Sequence, residues 1–126
     1  MRKSDRDIIL QKTNRRCCYC GDSLEGVRWH ADHIKAVQRV SKFENGKFIP
    51  TGKMLKPEND NIENMMASCP QCNILKSCQT IEMFRETVAN RITQLERIPA
   101  YRTAIRYGLI TEVKKPIVFY FETIKT

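Results

Sequence analysis

The sequence predicts a small α+β fold braced by a four-cysteine metal site, and three observations support this prediction. Two Cys-x-x-Cys pairs begin at Cys17 and Cys69. Segments that favour strands lie between and after these pairs. The apolar residues of the last third of the chain instead follow the spacing of a helix. A chain of 126 residues with 41% hydrophobic and 29% charged residues is long enough for one folded domain with a modest core.

The first elements are a helix and a strand. Ser4 and Asp7 have the spacing of a capping box, which predicts a helix that ends near Thr13. Residues 27–33 predict a strand, because Trp29 and the β-branched residue at its start favour extended backbone.

The middle of the chain is expected to be irregular and basic over residues 35–57. Within it, Asn45-Gly46 lies between Phe43 and Phe48, which is a strong signal for a local hairpin. We expect a loop or short turn over residues 60–67, and then a helix that begins at residue 72 or 73.

The C-terminal part predicts helices followed by a strand. After a Thr80 cap, one apolar stripe steps by three or four residues through Ile81, Phe84, Val88, Ile92 and Leu95. Pro99 suits the first turn of another helix, which Gly108 can end. The last predicted element is a strand over residues 117–121. We expect a single domain over residues 1–126, with a core at 17–79 and a C-terminal extension at 80–126.

The net charge of +8 is unevenly distributed. Residues 1–56 carry 13 of the 22 Lys and Arg residues but 6 of the 14 Asp and Glu residues. This distribution indicates a polyanionic partner, and nucleic acid is favoured over a membrane because no basic amphipathic helix occurs there. Excess charge that only keeps the protein soluble is the alternative.

Six cysteines indicate metal binding, because we expect a cytoplasmic protein. This expectation rests on the absence of an apolar run of membrane-spanning length and of a signal-peptide pattern. Two Cys-x-x-Cys turns complete a tetrahedral structural zinc site at Cys17, Cys20, Cys69 and Cys72. Cys18 and Cys78 are most simply small buried or unpaired residues, although Cys18 could replace a neighbouring ligand.

Asp32 and His33 supply a hard metal ligand and a proton acceptor at adjacent positions. Metal-dependent phosphodiester hydrolysis requires both groups. An ordinary pair at the end of a strand is the simpler alternative.

Together these residues resemble the zinc-containing branch of the HNH endonuclease family. The resemblance covers residues 17–76 and rests on the two Cys pairs, on Ala31-Asp32-His33-Ile34, and on Asn64 and Asn73 nine residues apart. The C-terminal half looks similar to extensions on phage-encoded members, which implies a bacterial or phage-infected host cell.

The resemblance implies a ββα-metal nuclease fold and a role for each matching residue. His33 would be the general base, and Asp32 and Asn73 would bind a catalytic Mg²⁺ or Mn²⁺. Asn64 would pin the loop and orient the histidine. Asn73 stands where the family name has its last His, which makes this chain an H-N-N variant and favours a hard cation. The implied activity is hydrolysis of DNA to 5′-phosphate and 3′-hydroxyl ends.

Some assignments keep an alternative. Asn61 competes with Asn64, and His30 is either a supporting group near Asp32 or a structural residue. Lys76 either contacts a phosphate or is simply solvated. The basic segment, with Lys35, Arg39 and Lys42, either follows a DNA backbone or is a charged mobile loop.

We expect a monomer that nicks double-stranded DNA. A zinc ribbon that binds nucleic acid without catalysis is the main rival, and a thiol-disulfide protein is a second. The same in-line chemistry would also allow RNA cleavage.

Overall fold

The computed structural model describes residues 1–124 and contains a mixed set of helices and strands. Two 3-10 turns span Pro57–Asn59 and Ile62–Asn64. The elements in chain order are α1 (Lys3–Lys12), β1 (His30–His33), β2 (Gln38–Glu44), β3 (Lys47–Leu55), β4 (Met65–Ser68), α2 (Pro70–Lys76), α3 (Ile81–Ala89), α4 (Arg91–Leu95), α5 (Pro99–Arg106) and α6 (Tyr120–Thr123). The coarse α+β prediction is therefore confirmed. Within residues 1–124, no helix is long and apolar enough to cross a membrane.

The central sheet consists of β1 and β4, which pair antiparallel. Asp32 lies opposite Met66, and His33 lies opposite Met65. The first Cys-x-x-Cys turn is hydrogen-bonded to this sheet, since the Cys18 amide donates to the Ala67 carbonyl on β4 at 2.8 Å. This sheet ties the first cysteine pair to the strand that carries Asp32.

The main hydrophobic core packs between this sheet, α1, α3 and the C-terminal segment. Its buried members come from both halves of the chain: Ile9, Leu10, Cys17, Cys18, Tyr19, Leu24, Met65, Ala67, Phe84 and Phe119. Tyr19 makes edge-to-face contacts with Phe84 and Phe119 at centroid distances of 5.0 and 5.4 Å. The predicted core and C-terminal extension thus share one set of packed side chains.

The first helix forms, but the predicted capping box does not. The helix begins at Lys3, and its N-cap residue, Arg2, makes no side-chain capping bond. Ser4 therefore lies inside the first turn instead of before it. The Thr80 cap is confirmed, because its hydroxyl accepts a hydrogen bond from the Met83 amide at 3.1 Å.

The predicted Asn45-Gly46 hairpin is confirmed, and it is longer than expected. Asn45 and Gly46 both have positive φ, 49° and 76°, as the tight turn of a two-residue hairpin requires. Strands β2 and β3 occupy most of the segment that we expected to be irregular. In the segment predicted as a loop or short turn, residues 60–67, the 3-10 turn Ile62–Asn64 does form, but residues 65–67 belong to strand β4.

The predicted C-terminal strand over residues 117–121 is wrong. The backbone is extended up to Phe119 and then forms α6. The amides of Tyr120 and Phe121 donate to the carbonyls of Tyr19 and Cys18 at 3.0 and 2.8 Å. Phe119 is buried and stacks on Phe84, so it contributes to the hydrophobic core without pairing in a sheet.

Candidate functional site

Four cysteines from the two Cys-x-x-Cys turns lie together. The sulfur atoms of Cys17, Cys20, Cys69 and Cys72 are all within 4.8 Å of one another. The Cys20 and Cys69 sulfurs are 4.0 Å apart, which is too far for a disulfide. A tetrahedral zinc ion with Zn–S bonds of about 2.3 Å separates its sulfurs by about 3.8 Å. The cluster can therefore hold a metal ion such as zinc.

The chemistry of this cluster suits a metal ion that binds thiolates. The thiols are hydrogen-bonded to one another: the bond from the Cys72 thiol lowers the pKa of Cys17 and raises the pKa of Cys72, and burial raises the pKa of Cys20. Backbone amides of Cys69 and Cys20 also lower the pKa of Cys17. The Cys72 amide also points at the Cys69 sulfur at 3.4 Å. Gly21 follows the first pair with φ +80°, a conformation that favours glycine. Both turns thus direct backbone N–H groups toward the sulfurs.

The other two cysteines lie outside this cluster. Cys18 is fully buried, and burial raises the pKa of its thiol. Cys78 is exposed. The structure therefore supports the predicted set of four ligands over the alternative in which Cys18 replaces a neighbour.

Asp32 is a buried carboxylate with two partners on the same oxygen. The Tyr19 hydroxyl donates to Oδ2, and the ammonium group of Lys76 lies 3.3 Å from that oxygen. Burial raises the pKa of Tyr19, so its hydroxyl keeps the proton that it donates. Within residues 1–124, Oδ1 has no hydrogen-bond partner, and this oxygen is not fully buried. One oxygen is thus held by the protein while the other is left open.

Lys76 differs from both of its predicted environments. Its side chain is completely buried, so it is neither a solvated lysine nor placed to contact a phosphate at the surface. The ammonium group also donates to the His33 carbonyl at 3.0 Å. Lys76 therefore connects α2 to both residues at the end of β1.

His33 is oriented by a carboxylate that the sequence analysis did not identify. Its Nε2 lies 2.9 Å from Oδ1 of Asp60, and its side chain is 17% exposed. A carboxylate can only accept here, so Nε2 carries the hydrogen and Nδ1 keeps the lone pair in the neutral ring. This arrangement leaves a proton acceptor on a fixed, partly accessible imidazole.

Asn64 holds the loop that follows β1. Its side-chain amide donates to the carbonyls of Lys35 and Asn59, each at 2.7 Å, and its oxygen accepts from the Lys35 amide at 2.9 Å. Asn61 has a different position, since its side chain accepts from the Asn64 amide and caps the 3-10 turn. The two asparagines are therefore distinguished by their contacts.

A cavity of about 230 Å³ joins several of the predicted residues. Asp32, His33 and Arg39 line it together with the turn after α2. Asn73 is half-buried and lies one helical turn before Lys76 on the same side of α2, but it is not among the described residues that line the cavity. The structure thus brings Asp32, His33 and Arg39 to one cavity and places Asn73 on the adjoining helix.

The remaining predicted residues lie farther out. Lys35 and Lys42 are exposed, and Lys42 is 3.2 Å from Glu44. His30 is half-buried on β1, opposite Ser68.

Sequence reasoning missed Tyr19 and Asp60. A Tyr inside a Cys-x-x-Cys turn and an Asp in an asparagine-rich loop carry no local signal, because their partners lie 13 and 27 residues away in the sequence. Their contacts with Asp32 and His33 depend on the tertiary fold.

Comparisons with protein-family models, with curated proteins and with solved structures found no match to this chain.

Proposed function

We propose that this chain is a metal-dependent DNA endonuclease that produces 5′-phosphate and 3′-hydroxyl ends. The observation that carries the proposal is the adjacent pair at the end of β1, where Asp32 and His33 line one cavity and each has a dedicated partner. The order of β1, β4 and α2, two antiparallel strands and then a helix, is the order that the resemblance to HNH endonucleases implies.

Asp32 and Asn73 would hold the catalytic Mg²⁺ or Mn²⁺. The open Oδ1 of Asp32 fits this role, because hard divalent cations bind carboxylate and amide oxygens. The Tyr19 hydroxyl donates a hydrogen bond to the other oxygen, Oδ2, and the Lys76 ammonium supplies an opposite charge beside it, as a buried carboxylate requires. When bound, the cation stabilises negative charge on the phosphate and on the departing 3′ oxygen.

His33 would act as the general base. Its Nδ1 takes a proton from a water molecule as the water oxygen forms a bond to phosphorus and the bond from phosphorus to the 3′ oxygen breaks. A proton from solvent completes the 3′-hydroxyl, and the phosphate remains on the 5′ side. Asp60 positions the ring, and Asn64 positions the loop that follows it.

The cysteine cluster would hold a structural zinc ion that supports this site. Tyr19 lies within the first cysteine turn, and the second turn caps α2, which carries Asn73 and Lys76. A zinc ion bound to both turns therefore fixes the two elements that hold Asp32.

The substrate would be double-stranded DNA, cut by a monomer one strand at a time. Arg39 lines the cavity of the site, and the exposed Lys35 and Lys42 lie near it in the strongly basic part of the sequence. Neutralisation of phosphates by such residues supplies sequence-independent affinity.

The test is nicking of supercoiled plasmid by protein of verified zinc content. Parallel reactions contain no added cation, Mg²⁺ or Mn²⁺, and DNA ligase is then added to the products. We expect relaxed circles that require the added cation and that ligase reseals, because the ends are 5′-phosphate and 3′-hydroxyl. Tight binding without cleavage under every cation would instead support a zinc ribbon that only binds nucleic acid.

A further inference from the structure

The β2–β3 hairpin is a free-standing ribbon with an apolar tip. Nearly every residue of both strands is exposed or half-buried, and the ribbon has its own two-stranded sheet apart from the central one. Phe43 and Phe48 lie opposite each other next to the Asn45-Gly46 turn, with ring centroids 5.1 Å apart. They are 65% and 76% exposed, although burial is the usual state of phenylalanine.

The charge of the ribbon indicates what covers this tip. The segment from Lys35 to Lys56 contains six basic residues and a single acidic one, Glu44. Of these six basic residues, only Lys42 forms an ion pair within residues 1–124, and its partner is Glu44. A polyanion complements such a strand pair, and repulsion between equal basic ribbons opposes the pairing of two copies.

We propose that the β2–β3 ribbon is a DNA arm whose Phe43–Phe48 pair inserts at a base step while its basic residues contact the flanking phosphates. This inference rests on the proposed action on DNA. Phenyl rings cannot hydrogen-bond to base edges, so the tip acts as an apolar wedge that partly unstacks two base pairs from the minor groove and kinks the duplex. Lysines beside the tip position the arm without reading sequence.

The root of the ribbon places this arm next to the candidate site. Arg39, near the start of β2, lines the cavity that contains Asp32 and His33. At a strand rise of about 3.3 Å per residue, the tip lies at most about 20 Å from this root. With about 3.4 Å per base pair, a kink and a cleaved bond in one complex would therefore be separated by on the order of six base pairs.

The test uses a short duplex with a donor and an acceptor dye at its ends, in the His33→Ala background without added cation, so that the DNA stays intact. One variant, Phe43→Val with Phe48→Val, keeps a cross-strand pair that favours strands but removes both rings. A matched variant, Phe43→Tyr with Phe48→Tyr, keeps two rings that can stack. Tyr107→Ala removes an aromatic side chain that is 77% exposed elsewhere.

We expect the Val pair to bind the duplex at least tenfold more weakly and to lose the change in energy transfer that reports bending. The Tyr pair and Tyr107→Ala should stay within about twofold of the parent. Equal affinity of the Val pair, or a parent complex without a bend, would overturn the inference. So would a parent dimer in sedimentation that the Val pair converts to a monomer without loss of DNA affinity. Because no cleavage is measured, the inference can fail while the nuclease proposal stands, and the reverse is also possible.

Discussion

Two side chains offset the cost of burying the Asp32 carboxylate. A carboxylate that is 7% exposed needs hydrogen bonds or an opposite charge. The Tyr19 hydroxyl supplies the hydrogen bond, and Lys76 supplies the charge. Both act on Oδ2, which leaves Oδ1 for the proposed cation.

Removal of the Lys76 charge should destabilise the protein strongly. Lys76→Met leaves a buried carboxylate without its counter-charge, and we expect a loss of about 3–5 kcal/mol in the free energy of unfolding. Lys35→Met removes an exposed lysine close to the same site and should change stability by less than about 0.5 kcal/mol. Urea denaturation of both variants measures the difference, and equal stabilities would contradict the buried ion pair.

The residues of the site could be predicted from sequence only where the signal is local. The Asp32-His33 pair and the cysteine spacing are such signals, and the four sulfurs do cluster. The environment of Lys76 was not predictable, since its hydrogen-bond partner His33 lies 43 residues earlier and nothing nearby marks this lysine as buried.

At the scale of elements, the same limit explains which predictions failed. The Asn45-Gly46 turn is encoded in two residues and was predicted correctly, whereas β4 was missed because it is a strand only through its pairing with β1. The segment that ends at Phe121 has the composition of a strand but does not pair in a sheet. Its amides bond to the first cysteine turn instead.

Arg85 fastens this C-terminal segment to α3. Its guanidinium donates to both carboxylate oxygens of Glu122, at 2.8 and 2.7 Å, and to the Ile117 carbonyl at 2.6 Å. The hydrogen bond from Arg85 is the main cause that lowers the pKa of Glu122. Because the folded-state pKa is lowered, this contribution to stability is present above the usual Glu pKa of 4.5 and is lost as the pH falls below it.

Arg85→Met should loosen the segment locally. We expect hydrogen exchange of the Tyr120 and Phe121 amides to accelerate several-fold at pH 7, while the Cys18 amide, which bonds to β4, keeps its protection. Arg91→Met, which removes an exposed arginine on α4, is the control. The difference in exchange rate between the Arg85→Met and Arg91→Met variants should shrink as the pH falls below the usual Glu range. A difference that persists there would argue against the Arg85–Glu122 ion pair as its cause.

At the scale of the whole molecule, the cysteine cluster connects distant parts of the chain. It joins residues 49 apart in the sequence, and the turn between Cys17 and Gly21 also receives the C-terminal segment. The core is modest for a chain of this length, so the free energy of metal binding is expected to form a large share of the total stability.

Loss of one cluster ligand should therefore unfold the protein. Cys69→Ser is expected to lose bound zinc and its cooperative thermal transition, because zinc binding contributes about 10 kcal/mol or more in small zinc domains. Cys78→Ser changes an exposed cysteine outside the cluster and should retain one zinc per chain. Metal content and thermal unfolding measure both effects. A folded, zinc-free and active Cys69→Ser protein would contradict the proposed structural zinc ion.

The role of His33 as the general base is tested most directly by comparing variants of the two histidines of the chain in the plasmid-nicking reaction. His33 and His30 lie on the same strand three residues apart, so His30→Ala controls for the loss of an imidazole from β1. We expect His33→Ala to lower the cation-dependent nicking rate by about 10²–10⁴-fold, the usual contribution of a general base, whereas His30→Ala should stay within a few-fold of the parent. Equal nicking rates for the His33→Ala variant and the parent protein would contradict the assignment of His33 as the base.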